Sequence, residues 1–191
     1  MIKIGINGFG RIGRLILRAL LENYRDKIEV VGINDLGSIE ANAHLVKYDS
    51  THGTLPYDVE TSKDGFKILN QNIKVFAERD PTNLPWGKLG VDVVLECTGL
   101  FLDKVSAEKH IKAGSKKVII SAPAKEVDFT IFQGVNSSEL KKEHNIISNG
   151  SCTTNCLAPV AMVLENNFGI EYGYMTTIHS YTGDQKLLDT L

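Results

Sequence analysis

Ile2-Lys3-Ile4-Gly5-Ile6-Asn7-Gly8-Phe9-Gly10-Arg11-Ile12-Gly13 is the stretch whose reading decides the fold. Ile2, Ile4 and Ile6 alternate with Lys3, Gly5 and Asn7, which predicts a short strand. Glycines follow at once. Then Ile12, Leu15, Ile16, Ala19 and Leu20 recur at helical spacing. Ile28 to Asn34 is a second β-rich run, ending at Asp35. Strand, helix and strand over about 35 residues predict a βαβ unit, and its crossover should be right-handed.

Gly8, Gly10 and Gly13 fit the spacing G-x-G-x-x-G. The pattern alone is weak, because glycines are common in turns; here it follows a strand and opens a helix. In that setting the first glycine permits a tight turn and the second lets a pyrophosphate approach the backbone. The third lets helix and strand pack closely. The helix N-terminus adds unpaired N–H groups and a partial positive charge. Asp35 lies 22 residues after Gly13. A carboxylate there can accept from both ribose hydroxyls of NAD and repel the 2′-phosphate of NADP. Its other reading is a helix N-cap or turn residue.

Further along, residues 36–50 read as helical. Residues 55–80 carry short strands broken at Asp64-Gly65 and Asn70-Gln71-Asn72, a hairpin or meander beside the main sheet. Val91 to Cys97 and Val118 to Ser121 are near-continuous apolar runs, as parallel strands covered on both faces require. Ser106 to Ala113 reads as a helix between them. Phe129 to Phe132 and Ile146 to Ser148 are two more candidate strands. Ligands of open α/β sheets bind beyond the carboxyl ends of strands. That rule nominates Thr98-Gly99 and Ser121-Ala122, although turn chemistry explains the same residues.

Composition narrows the partners. A net charge of -2, with Lys and Arg scattered, offers no footprint for nucleic acid or an anionic membrane surface. No apolar run approaches the roughly 20 residues that span a bilayer. The N-terminus lacks the apolar core and cleavage site of a signal peptide. The cysteines number three, Cys97, Cys152 and Cys156. So few argue against a disulfide scaffold and for a reducing, cytoplasmic setting.

Gly150-Ser151-Cys152-Thr153-Thr154-Asn155-Cys156 carries the chemistry. Ser151 is a good N-cap, so a helix over 152–166 should start at Cys152. A thiol in a first turn has its pKa lowered by the helix dipole. Cys156, one turn on, should point to the packed side near Leu157 and Val160. Zinc needs about four ligands, and no second Cys/His pair is evident; no metal is expected. A buried structural pair and a nucleophile remain open. The nucleophile needs a base, and His179 offers one. Ile170 to Tyr181 alternates as a long strand, with Gly173, Met175, Thr177 and His179 on one face. A short turn near Gly169 would let that strand pack on the helix. His44, His52, His110 and His144 read as ordinary core or surface residues. The chain stops at Thr190-Leu191 in a helical register with no cap, as the first part of a longer protein would.

With these residues assembled, the chain closely resembles phosphorylating glyceraldehyde-3-phosphate dehydrogenase. The most specific blocks are Ser151-Cys152-Thr153-Thr154-Asn155-Cys156-Leu157-Ala158-Pro159 and Thr177-Ile178-His179-Ser180-Tyr181-Thr182-Gly183-Asp184-Gln185. The resemblance implies an α/β fold: a Rossmann-type, doubly wound, mostly parallel sheet over residues 1–150 that binds NAD. The start of an α+β catalytic domain would occupy residues 151–191. It implies Cys152 as nucleophile and His179 as base. Ser151, Thr153 and His179 match the inorganic-phosphate site, and Thr182 and Asp184 the substrate phosphate. Arg11 and Ile12 match the pyrophosphate loop. Asn34, Arg79, Thr98, Ser121 and Ala122 match contacts around adenine and the nicotinamide half, and Asn7 and Phe9 look loop-shaping. A small aldehyde phosphate, inorganic phosphate and a homotetramer are the implied partners. Gly150 stands where that family commonly has alanine, which should loosen the turn only mildly. Family members are longer, and the 191 residues alone are expected to be inactive. A second candidate activity is erythrose-4-phosphate dehydrogenase, whose family departs from this sequence after His179-Ser180. A third is a non-catalytic NAD-binding module, which would need neither Cys152 nor His179.

Overall fold

Alternating isoleucines make β1 (Ile2–Asn7), and the glycine loop turns it into α1 (Arg11–Asn23). The chain returns through β2 (Ile28–Asn34), which pairs in parallel with β1. This is the computed structural model of the chain, and it describes residues 1–182. Next come α2 (Ile39–Lys47) and a small antiparallel hairpin of β3 (Tyr48–Asp49) and β4 (Gly53–Thr54). Helix α2 is shorter than the 36–50 expected. Ser38 caps its start by accepting the Ala41 N–H at 3.1 Å, and Tyr48 leaves it to pair with Thr54.

A meander follows: β5 (Val59–Ser62), β6 (Gly65–Ile68) and β7 (Gln71–Phe76). It belongs to the main sheet, because β7 pairs in parallel with β2 while β5 and β6 extend the edge antiparallel. Helix α3 (Trp86–Leu89), β8 (Val93–Glu96), α4 (Lys104–Lys112) and β9 (Lys117–Ile120) build the other half. Then come β10 (Phe129–Thr130), β11 (Ile146–Ser148) and α5 (Cys152–Phe168). Among the described residues the sheet has nine strands in the order β10-β11-β9-β8-β1-β2-β7-β6-β5. Strand β1 sits between β2 and β8, so the chain reverses its direction of winding there.

Both faces are covered, which explains the apolar runs. On one face Ile4, Ile6, Val30 and Ile33 pack with Leu17 and Leu21 of α1 and Val46 of α2. On the other, Trp86 is buried with Val31, Val91 and Val94. Register partners Gly5 and Gly32 make room for its indole, since a Cβ on either would lie about 3 Å from the ring.

Two expectations need correction. None of Ile12, Leu15, Ile16, Ala19 and Leu20 is fully buried in α1, and Ile12 is 51% exposed. Its buried stripe is Gly13, Leu17 and Leu21. A Cβ on Gly13 would lie 2.3 Å from the Gly8 carbonyl, so the glycine contact fixes which side of the helix meets the sheet. That rotation also buries Arg18, whose guanidinium donates to the carbonyls of Val46, Lys47 and Gly53. Finally, Ile170 to Tyr181 is not a strand: it is irregular and exposed. Among the described residues no strand pairs with it, and alternation without a partner leaves backbone N–H and C=O to water.

Candidate active site and dinucleotide cleft

A cavity of about 370 Å³ opens at the carboxyl ends of the strands, where the winding reverses. Asn7, Gly8 and Gly10 form its floor. Asn34, Asp35, Leu36, Glu78 and Arg79 form one wall, and Cys97, Thr98, Leu100 and Phe101 the other. The glycines divide the work as expected. Gly8 has φ +88, and a Cβ there would lie 2.7 Å from the Thr98 nitrogen. Gly13 is the close helix contact, whereas a Cβ on Gly10 would meet nothing within 4 Å. The loop is therefore closed toward the protein and open toward a ligand, at a helix N-terminus suited to phosphate.

Asp35 is a turn residue that lines the cleft. Its carboxylate accepts the Phe9 N–H at 2.8 Å, tying the glycine loop to the end of β2, and the Gly37 N–H at 2.8 Å within its own turn. It is not the cap of α2, which is Ser38. Two oxygens with one such bond each keep lone pairs for ribose hydroxyls. The chemistry of these walls fits an adenosine dinucleotide.

The cleft gathers Gly8, Gly10, Asn34, Asp35, Arg79 and Thr98 from the expected set. Arg11, Ile12, Gly13, Gly99, Ser121 and Ala122 do not line it. The Arg11 side chain instead pairs with Asp49 at 3.0 Å. Asp49 also accepts the backbone N–H groups of Thr51 and His52, and these bonds, with Arg11, hold its carboxyl far below the usual range. Ser121 and Ala122 end β9, and Ala122 accepts from the Ser148 hydroxyl at 2.7 Å. That hydroxyl in turn accepts the Gly150 N–H at 3.0 Å, so this loop is tied to the one that carries Cys152. Leu36, Leu100 and Phe101 were not foreseen as cleft residues; their signal was an apolar side chain just beyond a strand end.

Ser151 caps α5 as expected, accepting the Thr153 N–H at 3.2 Å. Cys152 is therefore the first helical residue, at the positive end of the dipole. His179 Nε2 lies 3.2 Å from Cys152 Sγ. His179, followed by bonds from Thr153, lowers the thiol pKa below its ordinary value. The imidazole pKa rises for the reciprocal reason, the bond to Cys152 first and the Ser180 carbonyl second. A strand was not needed to bring the pair together. Cys97 is the contrast: burial pushes its thiol up to about 12. Cys156 corrects the expectation of a packed thiol, since it is exposed, as are Leu157 and Val160. No residue of α5 is buried: Leu157, Val160, Ala161, Leu164 and Phe168 line an open cavity of about 560 Å³ with residues 169–175, which cover them only in part. Ser151 and Thr153 flank the thiol; Thr182 is described, and Asp184 lies outside the described residues. His110 is a satisfied core residue, while His144 stacks on Phe129. Among the described residues no cluster of His, Cys, Asp or Glu is arranged for a metal, and no helix is long and apolar enough to cross a membrane.

Residues 2–104 match the family model of the glyceraldehyde 3-phosphate dehydrogenase NAD-binding domain, and residues 151–191 that of its C-terminal domain. The chain belongs to the glyceraldehyde-3-phosphate dehydrogenase family. Similar relatives carry that enzyme's name. One from Xanthobacter flavus is 55% identical over 190 residues, covering 100% of this chain and 57% of the relative. One from Streptomyces avermitilis, named glyceraldehyde-3-phosphate dehydrogenase 2, is 56% identical over 189 residues, with 98% and 56% coverage. A third, glyceraldehyde-3-phosphate dehydrogenase 1 of Bacillus cereus, is 55% identical over 190 residues, with 99% and 56% coverage. The chain thus spans a little over half the length of the curated relatives it matches. The mostly parallel sheet is the family's Rossmann-type architecture, and NAD is the cofactor of its N-terminal domain.

Proposed function

We propose that this chain carries the nucleophile, the base and the cofactor domain of a phosphorylating glyceraldehyde-3-phosphate dehydrogenase. The observation that carries the reading is the 3.2 Å contact of Cys152 Sγ with His179 Nε2 at the start of α5. A thiolate held there attacks the aldehyde carbon of D-glyceraldehyde 3-phosphate and forms a thiohemiacetal. Its oxygen faces the first-turn N–H groups of α5, which lack helical partners. His179 takes the hydroxyl proton as the carbon is oxidised. NAD, bound in the cleft, supplies the hydride acceptor. The resulting Cys152 thioester keeps the acyl group activated until inorganic phosphate displaces the sulfur, giving 1,3-bisphosphoglycerate and the free thiolate. Ser151 and Thr153 present hydroxyls beside the sulfur for that phosphate, and Thr182 and Asp184 are assigned to the substrate phosphate. Arg11 and Ile12 act at the pyrophosphate through the loop backbone. Gly99, Ser121 and Ala122 are assigned to the nicotinamide half.

Residues 1–150 form the NAD-binding domain in this reading and 151–191 the beginning of the catalytic domain. A cytoplasmic homotetramer is the proposed setting for a chain of the family's full length. The test is acylation without phosphate. In a chain of the family's full length given aldehyde phosphate and NAD, mass spectrometry is expected to find an acyl group on Cys152 that added phosphate removes. An acyl group on another residue, or faster acylation by erythrose 4-phosphate, would overturn the assignment. Steady-state turnover is a separate expectation: the 191 residues alone should show none, since the exposed apolar side of α5 leaves the catalytic half without a core.

A further inference from the structure

A row of buried polar groups runs through the floor of the cleft and ends at Glu96, which takes no part in the reaction. Asn34, Asn7 and Glu96 end three neighbouring strands, and Asn7 is the register partner of both others. They are 5%, 1% and 1% exposed. Asn7 Nδ2 donates to Glu96 Oε2 at 2.6 Å, and Asn34 Nδ2 donates to Asn7 Oδ1 at 2.7 Å. Asn34 Nδ2 also donates to the Glu78 carbonyl, and Asn34 Oδ1 accepts the Glu78 N–H, both at 2.8 Å. At the other end Glu96 Oε1 accepts from the Thr98 N–H at 2.8 Å and from the Thr98 hydroxyl. The row therefore runs from the Glu78-Arg79 wall, through Asn7 in the floor, to the Thr98 wall.

An ionised carboxylate only accepts, and each amide has one donating and one accepting end. Glu96 thus decides which way Asn7 points, while the Glu78 backbone fixes Asn34, and only with Asn7 turned this way does the donating end of Asn34 meet an acceptor. His110 reinforces the choice. The Trp86 indole N–H can only donate, so His110 Nδ1, at 3.1 Å, accepts; Nε2 then carries the proton and donates to Glu96 Oε2 at 2.9 Å. We propose that Glu96 is a positioning residue for the dinucleotide: its carboxylate turns Asn7 so that it joins Glu96 to the Asn34–Glu78 pair, and the closed hydrogen-bonded row holds the two cleft walls at the spacing an adenosine needs. The inference rests on reading this cleft as the NAD site.

The test is calorimetric titration of the whole chain with AMP, whose adenosine half should occupy the cleft, and with NAD. Glu96→Gln keeps the shape but puts a donor against Asn7 Nδ2 and His110 Nε2. Every way of turning the amides then leaves two donors facing each other. AMP and NAD should both bind about tenfold more weakly or worse, the factor given by about 1.4 kcal/mol of lost hydrogen bonding. Adding Asn7→Asp reverses the polarity of that one bond: the introduced amide donates to the introduced carboxylate, whose second oxygen still accepts from Asn34. The His110 Nε2–H loses its acceptor at position 96 and is left with the carboxylate at position 7, about 3.5 Å away in the parent. The double variant should therefore recover part of the lost AMP binding, a rescue that lost packing alone would not produce. Unchanged AMP affinity in the Glu96→Gln variant overturns the proposal. So does a double variant that fails to fold or binds no better than the single one. If Glu96→Gln does not fold, the double variant decides alone. A parent chain that binds neither AMP nor NAD overturns the reading of the cleft itself.

Discussion

Alkylation of the thiols tests the Cys152–His179 contact directly. The perturbation is His179→Ala, which removes the largest cause of the lowered thiol pKa and leaves the helix position and the Thr153 bonds in place. Cys97 is an internal clock in the same molecule. At pH 7 a thiol with a pKa of about 12 is ionised to about one part in 10⁵, whereas an exposed thiol at 9.0 is ionised to about one part in 10². Cys152 lies below 9.0, so its thiolate is at least about 10³-fold more abundant than that of Cys97. A more basic thiolate is a better nucleophile, with a Brønsted slope near 0.4–0.5. Over three pKa units that returns about 20- to 30-fold. Ionisation alone should then make Cys152 about 30-fold faster or more, and burial of Cys97 adds to this. The assay is iodoacetamide labelling over time, with peptides quantified by mass spectrometry. The Cys152 rate should level off at a pH below the usual thiol range. With His179→Ala it should slow toward that of an ordinary exposed thiol and still outpace Cys97. Equal rates at Cys152 and Cys97, or no response to His179→Ala, would refute the argument.

Other outcomes follow from named contacts. Asp35→Gly should narrow the preference for NAD over NADP. It should also lower NAD affinity about tenfold or more, because ribose bonds to a charged group are lost together with the tie to Phe9. Competitive titration of both dinucleotides measures this, and equal affinity of the parent for NADP would contradict it. Gly150→Ala should not be mild here. The residue has φ +66, and its new Cβ would lie 2.5 Å from the Phe132 ring. Left-handed backbone costs about 1–2 kcal/mol and overpacking about 1–3 kcal/mol. Thermal melting should fall by several degrees, with part of the loss restored by Phe132→Leu. Acidification should break the contact between the thiol and His179 from the sulfur side. Thiolate is lost as pH falls through the lowered Cys152 pKa, and imidazolium is lost as pH rises through the raised His179 pKa. Nuclear magnetic resonance of the His179 ring should report a titration above the ordinary histidine value.

The sheet was legible because parallel strands covered on both faces leave apolar runs, as β8 and β9 did, while β1 showed as alternation and β2 as a β-rich run. The glycine loop was legible because Gly8 and Gly13 answer different steric demands, a left-handed turn and a close helix contact. The side of α1 that meets the sheet was not, since Gly13 rather than an apolar residue leads the buried stripe. Alternation over 170–181 misled because a strand is defined by its neighbour, and no periodicity within one segment shows whether a neighbour exists. Cys152 could be placed from its cap alone. Glu96 could not be recognised, although Asn7, Asn34 and Glu96 each end an apolar run with a polar residue. Only the register puts the three side by side.

The chain has one tryptophan, and it is Trp86, wholly buried between two glycines of the sheet. Light absorbed at the red edge of the indole band therefore reports a single place in the molecule. Three of the six tyrosines, Tyr172, Tyr174 and Tyr181, lie in the exposed segment after α5. Indole emission should shift only when the sheet itself opens, while added iodide should reach the tyrosines of that segment in the folded chain. Tryptophan emission during heating would therefore follow the sheet alone, with no label added.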